Sequence, residues 1–188
     1  PVAMDYTVTS LDEIAPKVGA ARAAFATGST KPIAWRRATL ERIRTLLEER
    51  ESPLLDALAA DFGKPRFEAW TTELGFTVSD INHTLAHLGS WMRPRKVGTP
   101  LAFQPGSSYV VAEPVGVVCV IAPWNYPVQL LLLPMVAAIA AGNAVVAKPD
   151  AQTMLSALLG AQLLEEAGFP KDLWQVVAGP GSDIGPEI

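Results

Sequence analysis

Charge is missing over the longest apolar part of this chain: from Pro114 to Ala147, 34 positions pass without one Asp, Glu, Lys, Arg or His. Such a segment must leave water, and a membrane helix would need roughly 20 predominantly apolar residues in unbroken order. Pro123-Trp124-Asn125-Tyr126-Pro127, Pro134 and Gly142-Asn143 interrupt it, which excludes a membrane hairpin and any membrane partner. Cysteine is nearly absent. Cys119, alone among 188 residues, rules out an intrachain disulfide framework and fits a reducing compartment. Histidine is scarce too: His83 and His87 stand four apart on one predicted helix without a third ligand, so packing or surface roles are expected and no metal site. There is no excess of positive charge. Fifteen Lys and Arg against 19 Asp and Glu give a net charge of −4, which excludes a surface built to neutralise phosphate backbones and leaves nucleic acid out as a partner. Residues 1–20 have neither a basic start nor an apolar stretch, so they do not read as a secretory signal and a cytoplasmic location is expected. The chain opens on Pro1 rather than Met, as a processed chain or a piece of a longer one would.

What is present is enough apolar residue, 49% with 18% charged, to build one domain core. The first half reads as helices. Leu11 to Thr27 carries Leu11, Ile14, Val18, Ala21 and Phe25 on one face, with Ser10 as N-cap and Gly28 as stop. Pro32 to Arg50 repeats the pattern with a solvated charged face. Ser52-Pro53 predicts a cap with Pro at the first helical position, opening a helix that ends at Gly63-Lys64-Pro65. Phe67 to Met92 predicts a fourth helix, interrupted at Gly75 and Gly89. After Arg93-Pro94-Arg95 the period changes: Val97–Phe103 and Ser107–Ala112 flank Gln104-Pro105-Gly106 and predict a strand pair about a tight turn.

The uncharged run itself reads as βαβ. Val115–Ile121 is a β-branched block, Val128–Ala141 has helical length, and Ala144–Ala147 is apolar again before Lys148. Neither strand block alternates, which predicts parallel strands buried on both faces and gives Cys119 an inert core position, where burial would raise its pKa. A helix from about Thr153 to Ala167 and a third strand, Trp174–Ala178, complete an α/β pattern. Such a three-strand half-sheet leaves an edge open, as a truncated domain would.

Ligands bind at the carboxyl ends of strands in open α/β sheets. Three turns leave that rim: Ala122 to Pro127, Lys148-Pro149-Asp150-Ala151, and Gly179 to Gly185, whose G-x-G-x-x-x-G spacing misses the dinucleotide fingerprint by one residue and fits a plain turn as well as a nucleotide site. Asn125, between an aromatic and a proline, is either a turn or N-cap residue or a fixed amide aimed at a developing oxyanion. Lys148 ends a buried strand, so its ammonium must reach solvent or an anionic or hydroxyl-bearing ligand. A nucleotide ribose or phosphate would meet that need.

Together, Glu113-Pro114-Val115-Gly116-Val117-Val118, Ile121-Ala122-Pro123-Trp124-Asn125-Tyr126-Pro127 and Ala141-Gly142-Asn143-Ala144-Val145-Val146-Ala147-Lys148-Pro149 resemble the aldehyde dehydrogenase superfamily, and Asp61-Phe62-Gly63-Lys64-Pro65 and Ala167-Gly168-Phe169-Pro170 extend the resemblance over nearly the whole chain. It implies an N-terminal portion divided into a helical segment (1–95), a hairpin of oligomerisation type (96–113) and a truncated Rossmann-like dinucleotide domain (114–188). It also implies NADP or NAD as cofactor, a small aldehyde as substrate, and a homodimer or homotetramer at full length. Asn125 would donate to the thiohemiacetal oxyanion. Ala122, Pro123 and Trp124 would line the cofactor cleft, Lys148 would contact the adenosine ribose with Pro149, Asp150 and Ala151 beside it, and Gly181 and Gly185 would pass beneath the adenine end. Ala151 stands where many NAD-preferring members have Glu, so NADP should be better tolerated, as in the succinate-semialdehyde dehydrogenase branch; Asp150 works against this, because a nearby carboxylate disfavours phosphate. The family's nucleophilic Cys and general-base Glu lie downstream, so these residues alone are expected to be inactive. The alternative is a truncated, non-catalytic homologue acting as an interaction module.

Overall fold

A computed structural model describes residues 8–166 and 168–187. Four helical elements come first. In α1 (Leu11–Ala26), the Glu13 carboxylate accepts the Ser10 N–H at 3.1 Å, satisfying one of the amides a helix start leaves open. α2 (Ile33–Glu49) buries Leu40, Ile43 and Leu47 of the apolar face expected from the sequence, with Leu46 beside them. α3 (Glu51–Phe62) follows after a single residue, so Ser52 sits inside the helix and Arg50 takes the cap position. The reason is local: Pro53 is then the third helical residue, where its missing N–H costs no intrahelical bond.

The fourth predicted helix forms without the two expected breaks. α4 (Arg66–Ala69) passes through one π-helical turn (Trp70–Leu74) into α5 (Gly75–Trp91), which runs on through Gly89. Gly75 donates its N–H to Trp70 O, and a Cβ there would stand 3.1 Å from that oxygen. Gly75 therefore marks a local widening of the helix rather than its end. The hairpin is present but shorter than expected: β1 (Arg95–Val97) and β2 (Ser108–Val110) pair antiparallel with Lys96 opposite Tyr109, while Leu101–Phe103 is a 3-10 turn. The Gln104–Pro105 bond is cis.

The second half is the parallel α/β unit. β3 (Val117–Ile121), α6 (Gln129–Ala141), β4 (Ala144–Lys148), α7 (Met154–Glu166), β5 (Trp174–Val176) and the short α8 (Gly181–Ile184) follow in order. The sheet order is β3-β4-β5, with Ile121 opposite Lys148 and Ala147 opposite Val176. Ala167, the expected end of the helix before β5, lies outside the described residues. α6 is apolar all round and packs against α2, α5, β3 and β4, while α1 packs on all three strands. Pro134, Ala137 and Ala141 are the exposed residues of α6, so the Pro sits where its lost backbone bond meets solvent. Thr9 joins the free side of the β5 segment, donating to Ala178 O at 2.8 Å and accepting its N–H on Oγ1 at 3.0 Å.

One burial expectation fails. β4 is buried along its whole length, but in β3 Val120 is buried while Cys119 is exposed and Ile121 is 65% exposed. β3 pairs on one side only among the described residues. An uncharged strand can thus be a half-covered edge strand, and Cys119 is not a core residue.

Candidate functional site

The parallel register brings three turns to one rim. Ala122 donates its N–H to Lys148 O at 3.0 Å, and Val177 donates to Ala147 O at 2.9 Å, so the chain leaves β3, β4 and β5 side by side. Lys148 is 6% exposed, and among the described residues its ammonium has no hydrogen-bonding or ion-pair partner. A Cβ built on Gly181 would lie 3.6 Å from Lys148 Nζ. Gly181 thus leaves open the space directly over the lysine head. Gly185, at the other end of α8, has no neighbour within 4 Å of a built Cβ and does not share that contact.

Beside this cradle stands the β3–α6 turn. Ala122 is buried, whereas Pro123, Trp124 and Asn125 are exposed, Trp124 by 50%. The Asn125 amide is left with its two donors unspent among the described residues. After Pro149, the Asp150 carboxylate accepts the Gln152 N–H at 2.9 Å, capping the 3-10 turn Ala151–Thr153. That bond orients the carboxylate and leaves its negative charge in place, and Ala151 adds none. The Cys119 thiol is raised above its ordinary pKa by partial desolvation and sits on the β3 strand, before the turn.

The sequence reading missed two residues here. Lys64 and Glu73 form a buried ion pair, Nζ to Oε1 2.6 Å, with side chains 3% and 0% exposed. The other Glu73 oxygen accepts the N–H of Val128 at 2.8 Å and of Gln129 at 3.3 Å, the first turn of α6. Lys64 Nζ also lies 3.9 Å from the centre of the Tyr126 ring. In the sequence Lys64 reads as part of a helix stop and of the Asp61–Pro65 segment that extends the resemblance, with no partner indicated, and nothing in Thr71-Thr72-Glu73-Leu74 distinguishes Glu73 from a surface acid.

Elsewhere, a cavity of 340 Å³ lined by Arg36, His83, Trp91, Met92, Ala137 and Ala140 among others opens by the far end of α6, roughly 15 Å along its axis from the rim. His83, His87 and Trp91 stack there, His83 and His87 at 4.1 Å between centroids. Among the described residues no three His, Cys, Asp or Glu side chains are grouped to hold a metal ion, and no helix is long and apolar enough to cross a membrane.

A sequence model of the aldehyde dehydrogenase family matches residues 2–188. The chain is 38% identical over 158 residues to 4,4'-diaponeurosporen-aldehyde dehydrogenase of Staphylococcus aureus, covering 84% of this chain and 34% of that protein. It is 41% identical over 168 residues to a Mycobacterium tuberculosis protein assigned as an NADP-linked succinate-semialdehyde dehydrogenase, covering 89% and 32%. Among solved structures, the NAD+ complex of an aldehyde dehydrogenase from Bacillus cereus superposes with a TM-score of 0.87 at 32% identity, over 96% of this chain and 36% of that one. The chain spans about a third of the length of the curated relatives it matches. Agreement in sequence and in backbone across nine-tenths of the residues is more than a shared turn could give, and the chain belongs to the aldehyde dehydrogenase family.

Proposed function

We propose that this chain is the N-terminal third of an NAD(P)-dependent aldehyde dehydrogenase, carrying the oxyanion donor and one wall of the dinucleotide cleft. The observation behind this is the unpartnered Lys148 head under the open space at Gly181, on the same rim as Asn125. The stem of Lys148 is buried while its head opens on that space, and ribose hydroxyls reaching into it would supply the hydrogen-bond partner that the described residues do not. Ala122, Pro123 and Trp124 would form the neighbouring wall, Pro149, Asp150 and Ala151 the flank by the ribose, and Gly181 and Gly185 the floor. A nicotinamide cofactor, when bound, supplies the hydride acceptor. Asn125 would hold the carbonyl oxygen as negative charge develops on it, a role in which losing one donor costs about 10²–10³ in rate.

The chain would not oxidise an aldehyde alone, because its one thiol, Cys119, lies on a strand before the turn and burial raises its pKa, which works against a nucleophilic thiolate. The nucleophile and general base would come from outside residues 1–188. NADP and NAD are both candidates: Ala151 brings no carboxylate against a 2′-phosphate, whereas Asp150 keeps a negative charge beside it and works the other way. Succinic semialdehyde is the first aldehyde to try, from the relative assigned to it. Residues 1–95, 96–113 and 114–188 would act as helical, oligomerisation and dinucleotide segments, with exposed Tyr109 and Val110 of the hairpin available to a second copy. The exposed edge of β3 also supports the reading of a non-catalytic interaction module; co-purification with a full-length homologue, without cofactor binding, would favour it.

The test is a titration with NADP and NAD followed by tryptophan fluorescence. Binding should weaken on the order of tenfold in Lys148→Met, as for one lost charge-assisted hydrogen bond. Equal affinity of Lys148→Met and the unaltered chain would remove Lys148 from the cleft. With succinic semialdehyde present, NADPH should not accumulate above a protein-free blank.

A further inference from the structure

The turn that carries Asn125 is exposed at three successive residues, Pro123, Trp124 and Asn125, and anchored immediately on both sides. Upstream, Ala122 is tied to β4 by its bond to Lys148 O. Downstream, Tyr126 lies under the Lys64 ammonium at 3.9 Å, and the next two backbone N–H groups, those of Val128 and Gln129, converge on a single Glu73 oxygen. Glu73 reaches them from the π-helical turn Trp70–Leu74, which Gly75 permits. π-Turns inside α-helices recur at functional sites because they re-aim a side chain. Here the re-aimed group is a carboxylate with no exposed surface, 55 residues away in sequence from the amides it serves.

We infer that the buried Lys64–Glu73 pair is a positioning device for the Asn125 turn. Glu73 holds the start of α6 through its amides, Lys64 neutralises Glu73 and clamps Tyr126, and the intervening residues can then take only one course over the rim. Neither side chain hydrogen-bonds Asn125 itself: Lys64 acts through the Tyr126 ring and Glu73 through the amides of Val128 and Gln129. Their purpose toward an oxyanion rests on the dehydrogenase reading; the rigidity they impose does not. Simple fold stability is a poor explanation for such a pair, since apolar replacements of similar volume generally serve a core as well or better.

That contrast supplies the test. Removing one partner strands a buried charge and risks unfolding, so both are changed together. Lys64→Met/Glu73→Gln keeps an uncharged acceptor for the two amides; Lys64→Met/Glu73→Met keeps the volume and removes the acceptor. Hydrogen exchange and ¹⁵N relaxation are read on the unaltered chain and both double variants, with thermal melting alongside. In the Met/Met variant, exchange at Val128 and Gln129 should quicken by at least about tenfold relative to Met/Gln, the equivalent of one hydrogen bond lost. Order parameters at Trp124 and Asn125 should fall from about 0.85 toward 0.6. Melting temperature and exchange in α2 should stay close to those of the Met/Gln variant. Indistinguishable exchange and order in the two variants would overturn the inference, as would uniform loosening of the whole chain, which marks a merely structural pair. Failure of the chain to bind NADP would count against the dehydrogenase reading and leave this result standing.

Discussion

Cys119 shows how little a residue's neighbours in sequence say about its exposure. Flanked by Val117, Val118, Val120 and Ile121, it reads as core, yet it shares with exposed Ile121 the uncovered face of β3, while Val120 takes the buried face. Exposure does not make it reactive. Its thiol pKa is raised by the protein around it, so less thiolate is present at any neutral pH than in a free cysteine, and thiolate is the species that reacts. Iodoacetamide should therefore label Cys119 more slowly than a cysteine peptide at neutral pH, the gap closing as the pH rises above the raised value; equal rates at neutral pH would contradict this. The position of the candidate residues on the rim was more legible than the exposure of the cysteine. Asn125 and Lys148 stood out because each broke the pattern around it, a polar amide within a proline turn and a cation at the end of an apolar strand. Glu73 broke no pattern, and its importance comes from a contact 55 residues away.

Helix α6 joins the rim to the far end of the molecule, and both of its ends are secured by charge. Glu73 receives the amides at its start, and at its end Arg36 donates to Ala140 O at 3.1 Å and to Thr30 O at 2.9 Å. An acid at the amino end and a base at the carboxyl end both suit the helix dipole. Gly142 closes the helix at φ +87°, where a Cβ would collide with the Arg36 guanidinium, and Thr30 Oγ1 donates to Gly142 O at 2.6 Å. Arg36→Leu should cost about 2–4 kcal/mol, two charge-assisted bonds and their orphaned carbonyls, and lower the melting temperature by about 5–10 °C. A shift within error would show that solvent replaces the guanidinium at no cost. Element types were largely readable here, because stripes of period 3.6 and β-branched blocks are local signals. Their exact bounds, the π-turn and the cap on α3 were not, since each depends on which amides find partners elsewhere in the fold.

On the scale of the whole molecule the two edges of the sheet differ. The β5 segment is closed by Thr9, whereas β3 exposes Ile121 and its unpaired side. An apolar, unpaired edge is a site of self-association. Ile121→Lys should lower light scattering in concentrated solution without altering the melting temperature by more than a degree or two, since an exposed side chain of this kind carries about 0.5 kcal/mol or less. Unchanged scattering would place any self-association elsewhere. The βαβ order and the shared rim could be read from the uncharged run and its interruptions. The closed edge could not, because residues 8–10 carry no strand pattern of their own.

Thr9 and Ala178 lie 169 positions apart. During synthesis from the amino terminus, that closure must wait until nearly every other described residue has been made, and contacts this distant in sequence form slowly. The clasp therefore reports the docking of β5: a nascent chain resists a protease at Val8–Ser10 only once that strand is in place.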